Sequence, residues 1–407
     1  MTGARALLLL GLVLAGAASC ETPTIASPLV PSLPSVAVVP PAPPAPPAPA
    51  ARTELTLVAG GDVSHGRFRG QKLLADPSRD DLKMVASLFD AADIRFVNLE
   101  SIIFDNGWTT VHPDNILVYS APPAAAPALA RARIDIVSLA NNHAWDYGHR
   151  GLMETLDRLD DEGIAYVGAG RTRDEAYGFR VVERDGFGVA FVAVTSIWNQ
   201  VLTPHPGKVL VADAVTDQLV DTIRRAKATP GIDKVVVSHH GGEEYRRPTY
   251  PPIVRMLRAA IDAGADAVIG HHPHIPQRAA LVDGRPIFYS LGNLVFRDTG
   301  KGGLWARFGA VARLRFRTDG PTEAYLCPVR MVGDRVIPLA EERDRAAIER
   351  LFRHHYDQLL REGARTEPDA PTRLGQLGRD GCGRLEPADD VSPPRRDRGT
   401  ASRRHPG

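Results

Sequence analysis

Short apolar runs alternate with amphipathic stretches from Thr53 to about Leu360, and this alternation predicts an α/β fold. The apolar runs have the length and composition of buried strands, which indicates a sheet covered by helices. They lie at residues 55–59, 94–99, 134–139, 235–238, 267–270 and 287–291. The amphipathic stretches predict helices at residues 81–91, 123–133, 151–161, 216–228, 252–263 and 342–361. Further runs at 179–182, 189–194, 277–282, 306–316 and 324–332 are joined by short turns, so part of the sheet structure should be antiparallel or mixed.

The N-terminal end has a different pattern. Residues 7–14 form an apolar run of the length of a signal-peptide core, with Arg5 before it and small residues after it. This run is too short to span a bilayer. It leads to Cys20 through Ala-Ala-Ser, which resembles a bacterial lipoprotein box and implies a signal peptide over residues 1–19 with lipidation of Cys20. Simple export with cleavage at an Ala-x-Ala-like site is the alternative. Both readings place the protein outside the cytoplasm.

Composition divides the rest of the chain. Residues 20–52 follow the lipidation site as a Pro/Ala-rich tether, with eleven prolines between residues 21 and 50, which could extend to about 90 Å as polyproline II. The folded domain is predicted over residues 53–340, with a C-terminal helix over 341–362. Residues 363–407 are rich in Arg, Asp, Pro and Gly and poor in aliphatic residues, so we expect a disordered tail.

Charge and cysteine content exclude several functions. The 49 Lys and Arg residues nearly balance 48 Asp and Glu residues, and aromatic residues make up 6% of the chain. This balance argues against a nucleic-acid-binding protein and against a polybasic membrane-surface protein. After Cys20 only Cys327 and Cys382 remain, and Cys382 lies in the predicted tail. We therefore expect neither a disulfide framework nor a cysteine metal site.

Polar side chains follow the predicted buried strands, where ligands gather in α/β sheets. Carboxylates follow the first two strands, an amide with an imidazole follows the third, and imidazoles follow two later strands. The stretches are residues 60–67, 98–100, 140–148, 239–245, 270–274 and 291–293, and they hold seven of the chain's 13 histidines. Oxygen ligands combined with imidazole favour a site for two divalent metal ions, with Zn, Mn or Fe as the candidates.

Six ordered motifs resemble one known family. They are Gly-Asp-Val-x-x-Gly-Arg, Asn-Leu-Glu, Leu-Ala-Asn-Asn-His-x-x-Asp-Tyr-Gly, Ser-His-x-Gly-x-Glu, Gly-His-His-Pro-His and Tyr-Ser-Leu-Gly-Asn. In this order they look like the bacterial capsule-synthesis family associated with poly-γ-glutamate, which is part of the calcineurin-like metallophosphoesterase superfamily. The resemblance covers residues 53–340. It implies a metallophosphatase-like four-layer αββα sandwich, with two mixed sheets between helical layers.

The resemblance also implies a role for each matching residue. Asp62 would be a metal ligand and Glu100 the carboxylate that bridges two metal ions. The remaining ligands would be Asn142 and His239 for the second metal, with His272 and His274 closing the site. His143 resembles the family's catalytic histidine. Asp146 would orient it as a hydrogen-bond partner.

Four additional candidates surround these motifs. The superfamily usually begins with Asp-x-His, whereas His65 comes one place later than that pattern requires, so it is either a ligand or a surface-loop residue. Arg67 is either a forked donor to an anionic substrate or a salt-bridge residue. Asn98 and Glu243 lie within the motifs. His240 and His271 are interpreted as structural or pocket-lining residues.

The function implied by this resemblance is that of an exported, membrane-tethered, metal-dependent hydrolase of capsule, poly-γ-glutamate or other cell-surface polymer biosynthesis. Its substrate would be a phosphoester or an amide of an anionic polymer. Its partners would include membrane proteins of capsule synthesis and export, and a lipid anchor would hold it to the cell envelope. The alternative is a non-catalytic accessory that binds the polyanion within the export complex.

Overall fold

The computed structural model describes residues 52–199, 205–247, 249–296, 301–363 and 372–387. The predicted signal peptide, Cys20 and nearly all of the tether lie outside these ranges. The strands are β1 (Glu54–Val63), β2 (Ile94–Leu99), β3 (Ile102–Ile103), β4 (Val111–His112), β5 (Asn115–Ala121), β6 (Ile136–Ser138), β7 (Ala165–Val167), β8 (Arg180–Arg184), β9 (Phe187–Thr195), β10 (Lys234–His240), β11 (Ala267–His271), β12 (Ala279–Val282), β13 (Arg285–Phe288), β14 (Asn293–Val295), β15 (Phe308–Arg317), β16 (Glu323–Val332), β17 (Arg335–Pro338), β18 (Thr372–Leu374) and β19 (Gly383–Pro387).

The helices are α1 (Arg67–Ala75), α2 (Ala86–Phe89), α3 (Ala125–Arg131), α4 (Gly148–Asp161), α5 (Arg173–Tyr177), α6 (Thr216–Ala228), α7 (Pro251–Asp262) and α8 (Arg345–Gly363). Helices α4, α6 and α7 are amphipathic, as the sequence pattern predicts. In α4, Leu152, Leu156 and Leu159 lie on one face and are fully buried. The helix predicted over 81–91 is shorter than expected, because a 3-10 turn at Lys83–Val85 precedes α2. Within the described residues, no helix has the length and apolar character needed to cross a membrane.

Two large mixed sheets form the centre of the fold and confirm the mixed-sheet prediction. The first has the order β18-β19-β16-β15-β1-β2-β6-β7, with β14 beside β1 and β17 beside β16. In this sheet β1 is parallel to β2 and antiparallel to β15. The second has the order β12-β13-β11-β10-β9-β8, with a parallel centre and antiparallel edge pairs. A small third sheet has the order β3-β5-β4.

The core is divided into three apolar layers. One layer lies between the two large sheets, where Phe96 of β2 stacks on Phe191 of β9 with ring centroids 5.7 Å apart. A second layer packs the other face of the first sheet against α3 and α4. A third packs the other face of the second sheet against α6 and α7. Helix, sheet, sheet and helix therefore form the predicted four-layer αββα sandwich.

Two expectations were wrong for residues 372–387: that this part of the C-terminal segment is disordered, and that the chain has no disulfide. Strand β19 pairs with β16, and β18 pairs with β19, so this stretch extends the first sheet. Although the segment is short of aliphatic residues, Leu374, Leu377 and Leu385 are buried against the inter-sheet core. A disulfide also joins Cys327 of β16 to Cys382, next to β19. The partners are 55 residues apart, and strand pairing brings them together.

Candidate metal centre

The carboxyl ends of strands from both large sheets converge on one buried cluster. Asp62 lies near the end of β1 and Glu100 directly follows β2, while His240 ends β10 and His272 and His274 follow β11. None of these five residues is more than 5% exposed. The fold therefore gathers carboxylates and imidazoles at one point, as the motif order predicts.

Two groups of potential ligand atoms lie side by side in this cluster. Asp62, Glu100 and His274 form the first, and their ligand atoms all lie within 4.8 Å of one another. His274 Nε2 is 3.7 Å from Glu100 Oε1, and His274 Nδ1 is 3.6 Å from Asp62 Oδ2. The carboxamide oxygen of Asn293 lies 2.9 Å from His274 Nδ1 and fixes the position of this ring. This group can hold one metal ion.

Glu100, His240 and His272 form the second group, within the same 4.8 Å limit. His240 Nε2 lies 3.8 Å from Glu100 Oε1 and 3.2 Å from His272 Nδ1. The carboxamide oxygen of Asn142 is 2.7 Å from His240 Nε2 and therefore lies beside the ligand atoms of this second group. Glu100 thus belongs to both groups, which is the position of a bridging carboxylate.

The electrostatics of the cluster suit cation binding. Burial, and then the neighbouring Asp62 charge, raise the pKa of Glu100 well above its ordinary value. Neither carboxylate oxygen of Glu100 has a hydrogen-bond partner within the described part of the chain. Burial opposes ionisation of Asp62 too, but the hydrogen bond and charge of His271, together with His274 and Asn98, lower its pKa.

His240 and His272 are held neutral, the form in which histidine binds a metal. Burial, and then the charge of His274, lower the pKa of His272 to about 3. The pKa of His240 is lowered well below its ordinary value by burial and then by His272. Two carboxylates with neutral nitrogen donors form a ligand set that fits Zn, Mn or Fe. The residues therefore fit the implied metal ions.

His143 and Asp146 form a pair beside the cluster. His143 Nδ1 lies 2.8 Å from Asp146 Oδ2, and the backbone N–H of Tyr119 donates to the same oxygen over 3.0 Å. The Tyr119 ring packs on the imidazole with centroids 4.1 Å apart. The other ring nitrogen, Nε2, is 4.0 Å from Glu100 Oε1. The imidazole is thus held at one nitrogen and faces the cluster with the other.

The structure places His240, instead of the expected His239, in the cluster. Successive residues of a strand point to opposite faces. Val236 faces the layer between the sheets, and so does His240, whereas Val235 and Val237 face the outer helices. His239 lies on that outer side, with Nε2 2.9 Å from the Ser196 hydroxyl. His271, interpreted as a structural or pocket-lining residue, is fully buried, with Nδ1 3.2 Å from Asp62 Oδ1.

Of the four additional candidates, Asn98 and Arg67 lie near the cluster, and His65 and Glu243 do not. The Asn98 carboxamide donates to Asp62 Oδ1 over 2.8 Å and lies 3.2 Å from His240 Nδ1. The Arg67 guanidinium stacks over Tyr119 at 4.2 Å, on the rim of the cluster.

His65 is neither a ligand in the cluster nor a surface residue. It is 2% exposed and lies 3.9 Å from Asp81, which also contacts Arg69 at 3.3 Å. Burial lowers its pKa to about 4. Glu243 is exposed and pairs with Arg246 at 2.6 Å. Neither residue is brought into the cluster.

Sequence reasoning missed Asn199. Its carboxamide accepts from Asn142 Nδ2 over 2.7 Å and lies 3.0 Å from His143 Nδ1, so it links a candidate ligand to the His143–Asp146 pair. No motif marks this residue in the sequence. It reaches the cluster because β9 lies beside β10 and the chain continues from β9 past the end of that strand.

Two mixed sheets between helical layers, with carboxylates and imidazoles at their strand ends, define a metallophosphatase-like protein. Residues 56–298 match the family described as "Bacterial capsule synthesis protein PGA_cap". The chain belongs to this family, which lies in the metallophosphoesterase-like superfamily. The resemblance inferred from the six motifs is confirmed.

Named relatives agree with this assignment. The chain is 28% identical to the "Capsule biosynthesis protein CapA" of Bacillus anthracis over 305 residues, which is 73% of this chain and 72% of the relative. It is 27% identical to the "PGA biosynthesis protein CapA" of Bacillus subtilis, over 66% of this chain and 70% of that one. A probable polyglutamine synthesis accessory protein of Mycobacterium tuberculosis is 30% identical over 62% of this chain and 68% of its own length.

Among solved structures, the sulfate thiohydrolase SoxB of Thermus thermophilus aligns with 71% of this chain and 46% of its own. The TM-score is 0.37 at 15% identity.

Proposed function

We propose that this protein is a metal-dependent hydrolase that acts in the biosynthesis of capsule, poly-γ-glutamate or another cell-surface polymer. The observation that carries the proposal is the position of Glu100. It belongs to both candidate ligand groups and has two buried oxygens without hydrogen-bond partners in the described residues. A buried carboxylate without donors is costly unless cations compensate its charge. Two cations on either side of it would do so.

The ligands for such ions would be Asp62 and His274 on one side of Glu100, with His240, His272 and Asn142 on the other. Divalent ions bound here would supply Lewis-acid activation of water and of the scissile group. Asn98 and Asn293 would fix the orientation of the ligands Asp62 and His274 through their hydrogen bonds. Zn, Mn and Fe all suit this donor set.

His143 would stabilise developing charge or protonate the leaving group. Asp146 accepts from Nδ1 when that nitrogen carries the proton, which leaves Nε2 as the nitrogen that faces the cluster. A carboxylate partner also stabilises the imidazolium form. Packing of the Tyr119 ring restricts rotation of the imidazole. The pair is therefore suited to proton transfer at a defined atom.

The proposed substrate is a phosphoester or an amide of an anionic polymer. Names of relatives support a polymer of this kind, since they are called capsule and PGA biosynthesis proteins. The proposed location is the cell envelope, with the chain exported and tethered through lipidated Cys20, where membrane proteins of capsule synthesis and export are potential partners. The Cys327–Cys382 disulfide supports an extracytoplasmic location, because such bonds persist in oxidising compartments.

A non-catalytic accessory that binds the polyanion is the second candidate. It is favoured by the name of one relative, a probable polyglutamine synthesis accessory protein. The two functions differ in what they require of His143. Catalysis needs this imidazole, whereas polymer binding by the protein does not.

The test combines metal content with turnover on the full chain. We expect about two metal ions per chain by plasma mass spectrometry, with metal loss in Asp62→Ala and in His240→Ala. His143→Ala should retain metal and lose hydrolysis of phosphoester or γ-glutamyl substrates by roughly 100-fold or more. His149→Ala is the matched control, because His149 is an exposed histidine on α4. A metal-free folded protein would refute the hydrolase. Full metal content without turnover on any substrate would favour the accessory role.

A further inference from the structure

A groove beside the metal centre is lined by exposed apolar side chains. Phe68, Trp108, Ile116 and Leu117 are between 49% and 81% exposed, and all four line one groove of about 660 Å³. The groove runs between α1, the loop before β4 and the start of β5. Clustered exposed apolar side chains mark a binding surface more often than scattered ones do. A volume of this size suits a short chain segment instead of a folded partner.

The charge of the groove is one-sided. Arg67 and Lys301 contribute to its lining, and no Asp or Glu does so among the residues that the structure describes. The Arg67 guanidinium lies over the Tyr119 ring, and its Nε is buried without a hydrogen-bond partner. Within the described ranges, no carboxylate forms a salt bridge with Arg67. A guanidinium with free donors in an apolar groove is suited to bind an anion in forked geometry.

The backbone holds Arg67 in a demanding conformation. Its φ is 52°, in the left-handed region that side chains other than glycine rarely adopt. Thr110 stabilises this conformation, because its carbonyl accepts from the Arg67 N–H over 3.3 Å and its hydroxyl donates to the Arg67 carbonyl over 2.8 Å. Strain that the surroundings maintain is common at functional sites. Here it directs the side chain onto Tyr119.

Tyr119 connects the groove to the metal centre. Its ring contacts the Arg67 guanidinium at 4.2 Å and the His143 imidazole at 4.1 Å. Its hydroxyl donates to the Glu100 carbonyl over 3.2 Å. An anionic group on Arg67 would therefore lie one aromatic ring away from the proposed proton-transfer pair.

We infer that this groove is a binding subsite for an anionic oligoamide whose carboxylates are separated by aliphatic carbons. A carboxylate would bind the Arg67 fork, while the aliphatic carbons pack on Phe68, Trp108 and Leu117. This inference rests on the proposed function and deepens it, since it assigns the polymer a binding surface on this chain. A polymer of charge alone, such as polyphosphate, would leave the apolar wall without a partner.

The probe is a fluorescent oligo-γ-glutamate of about ten residues, with binding to the full chain measured by anisotropy in chelator, so that metal ions do not contribute. Arg67→Gln should raise the dissociation constant roughly tenfold or more, as expected for loss of a charge-assisted pair. Arg67→Lys should restore part of the affinity, because Lys keeps the charge but not the fork. Trp108→Ala should weaken binding several-fold. Because Trp108 is exposed, this loss of affinity would not be explained by misfolding of the variant.

Two controls are matched to these variants. Arg150 is exposed and also stacks on an aromatic ring, Phe104, at 5.1 Å, but it lies outside the groove. Tyr250 is an exposed aromatic residue that lines a different cavity of about 460 Å³. Arg150→Gln and Tyr250→Ala should leave the dissociation constant within about twofold, as expected for surface changes away from a site. Sensitivity to Tyr250 with insensitivity to Trp108 would overturn the inference.

The outcomes separate this inference from the proposed hydrolase. Arg67-dependent binding without turnover would support the groove and count against the hydrolase. Turnover with binding unaffected by Arg67 and Trp108 would overturn the groove alone. Polyphosphate that binds as tightly as oligo-γ-glutamate, without dependence on Trp108, would also overturn it. So would Trp108-dependent binding to phosphatidylglycerol vesicles with oligomer binding unchanged, because the occupant would then be a membrane.

Discussion

Glu100 offers a direct test of the metal centre through the stability of the metal-free protein. Its carboxylate is fully buried, and its oxygens lack hydrogen-bond partners in the described residues. Without cations, it must either stay charged at a cost or take up a proton. Glu100→Gln removes the charge and keeps the shape. We expect the free energy of unfolding of the metal-free protein near neutral pH to rise by about 1–3 kcal/mol, the usual cost of an unpaired buried polar group.

The sign of the pH dependence follows from the raised pKa of Glu100, which burial and then the Asp62 charge produce. A carboxyl with a raised pKa binds its proton more tightly in the folded state. Its contribution to stability is present below the unfolded pKa of about 4.3 and is lost as the pH rises through the folded pKa. The stability difference between Glu100→Gln and the parent should therefore grow as the pH rises from about 4.3 through the folded pKa of Glu100, and should level off above it.

Urea denaturation followed by circular dichroism, with chelator and with added Zn or Mn, measures both effects. Metal should stabilise the parent protein and should stabilise Glu100→Gln far less, because binding adds stability only where the site exists. Glu243→Gln is the control, since Glu243 is exposed, and its effect should stay within about 0.5 kcal/mol. A metal-free Glu100→Gln protein that is clearly less stable than the parent would refute the reasoning. So would undiminished stabilisation by metal.

Three further sets of variants test the ligand set, the proton-transfer pair and the disulfide. His240→Ala should lower metal content by mass spectrometry, whereas His239→Ala should retain it, and the reverse result would contradict the assignment of strand faces. Asp146→Asn should lower the turnover number roughly 10- to 100-fold with metal content unchanged, and an unaltered rate would remove Asp146 from the mechanism. Replacing Cys327 and Cys382 by Ser opens a link across 55 residues, so thermal unfolding should reveal a loss of about 4 kcal/mol, and an unchanged melting temperature would contradict this.

Much of the fold was predictable because buried strands and amphipathic helices leave clear periodic signals. Leu152, Leu156 and Leu159 mark α4 in the sequence and are buried in the structure. The C-terminal segment lacked such a signal, because β18 and β19 contribute only three and five residues to an existing sheet edge. Their stability comes from the pairing of β19 with β16 and of β18 with β19, the packing of isolated leucines and the disulfide. These are contacts between distant parts of the chain, and local composition does not reveal them.

The choice between His239 and His240 shows what the sequence could and could not provide. The motif places both histidines at the end of β10, and composition does not separate them. The two faces of a strand become distinguishable only when one face is known to meet the other sheet. Val236 faces the inter-sheet layer, and the two-residue period then assigns His240 to the same side.

The same period applies to the neighbouring strands. Phe96 of β2 and Ile269 of β11 face the inter-sheet layer, which directs Asn98 and His271 towards Asp62. The chemistry of the centre was thus readable from motifs. The individual ligands, by contrast, depend on strand parity within a sandwich whose two sheets both contribute. For this reason the paired variants His239→Ala and His240→Ala test the fold and the site together.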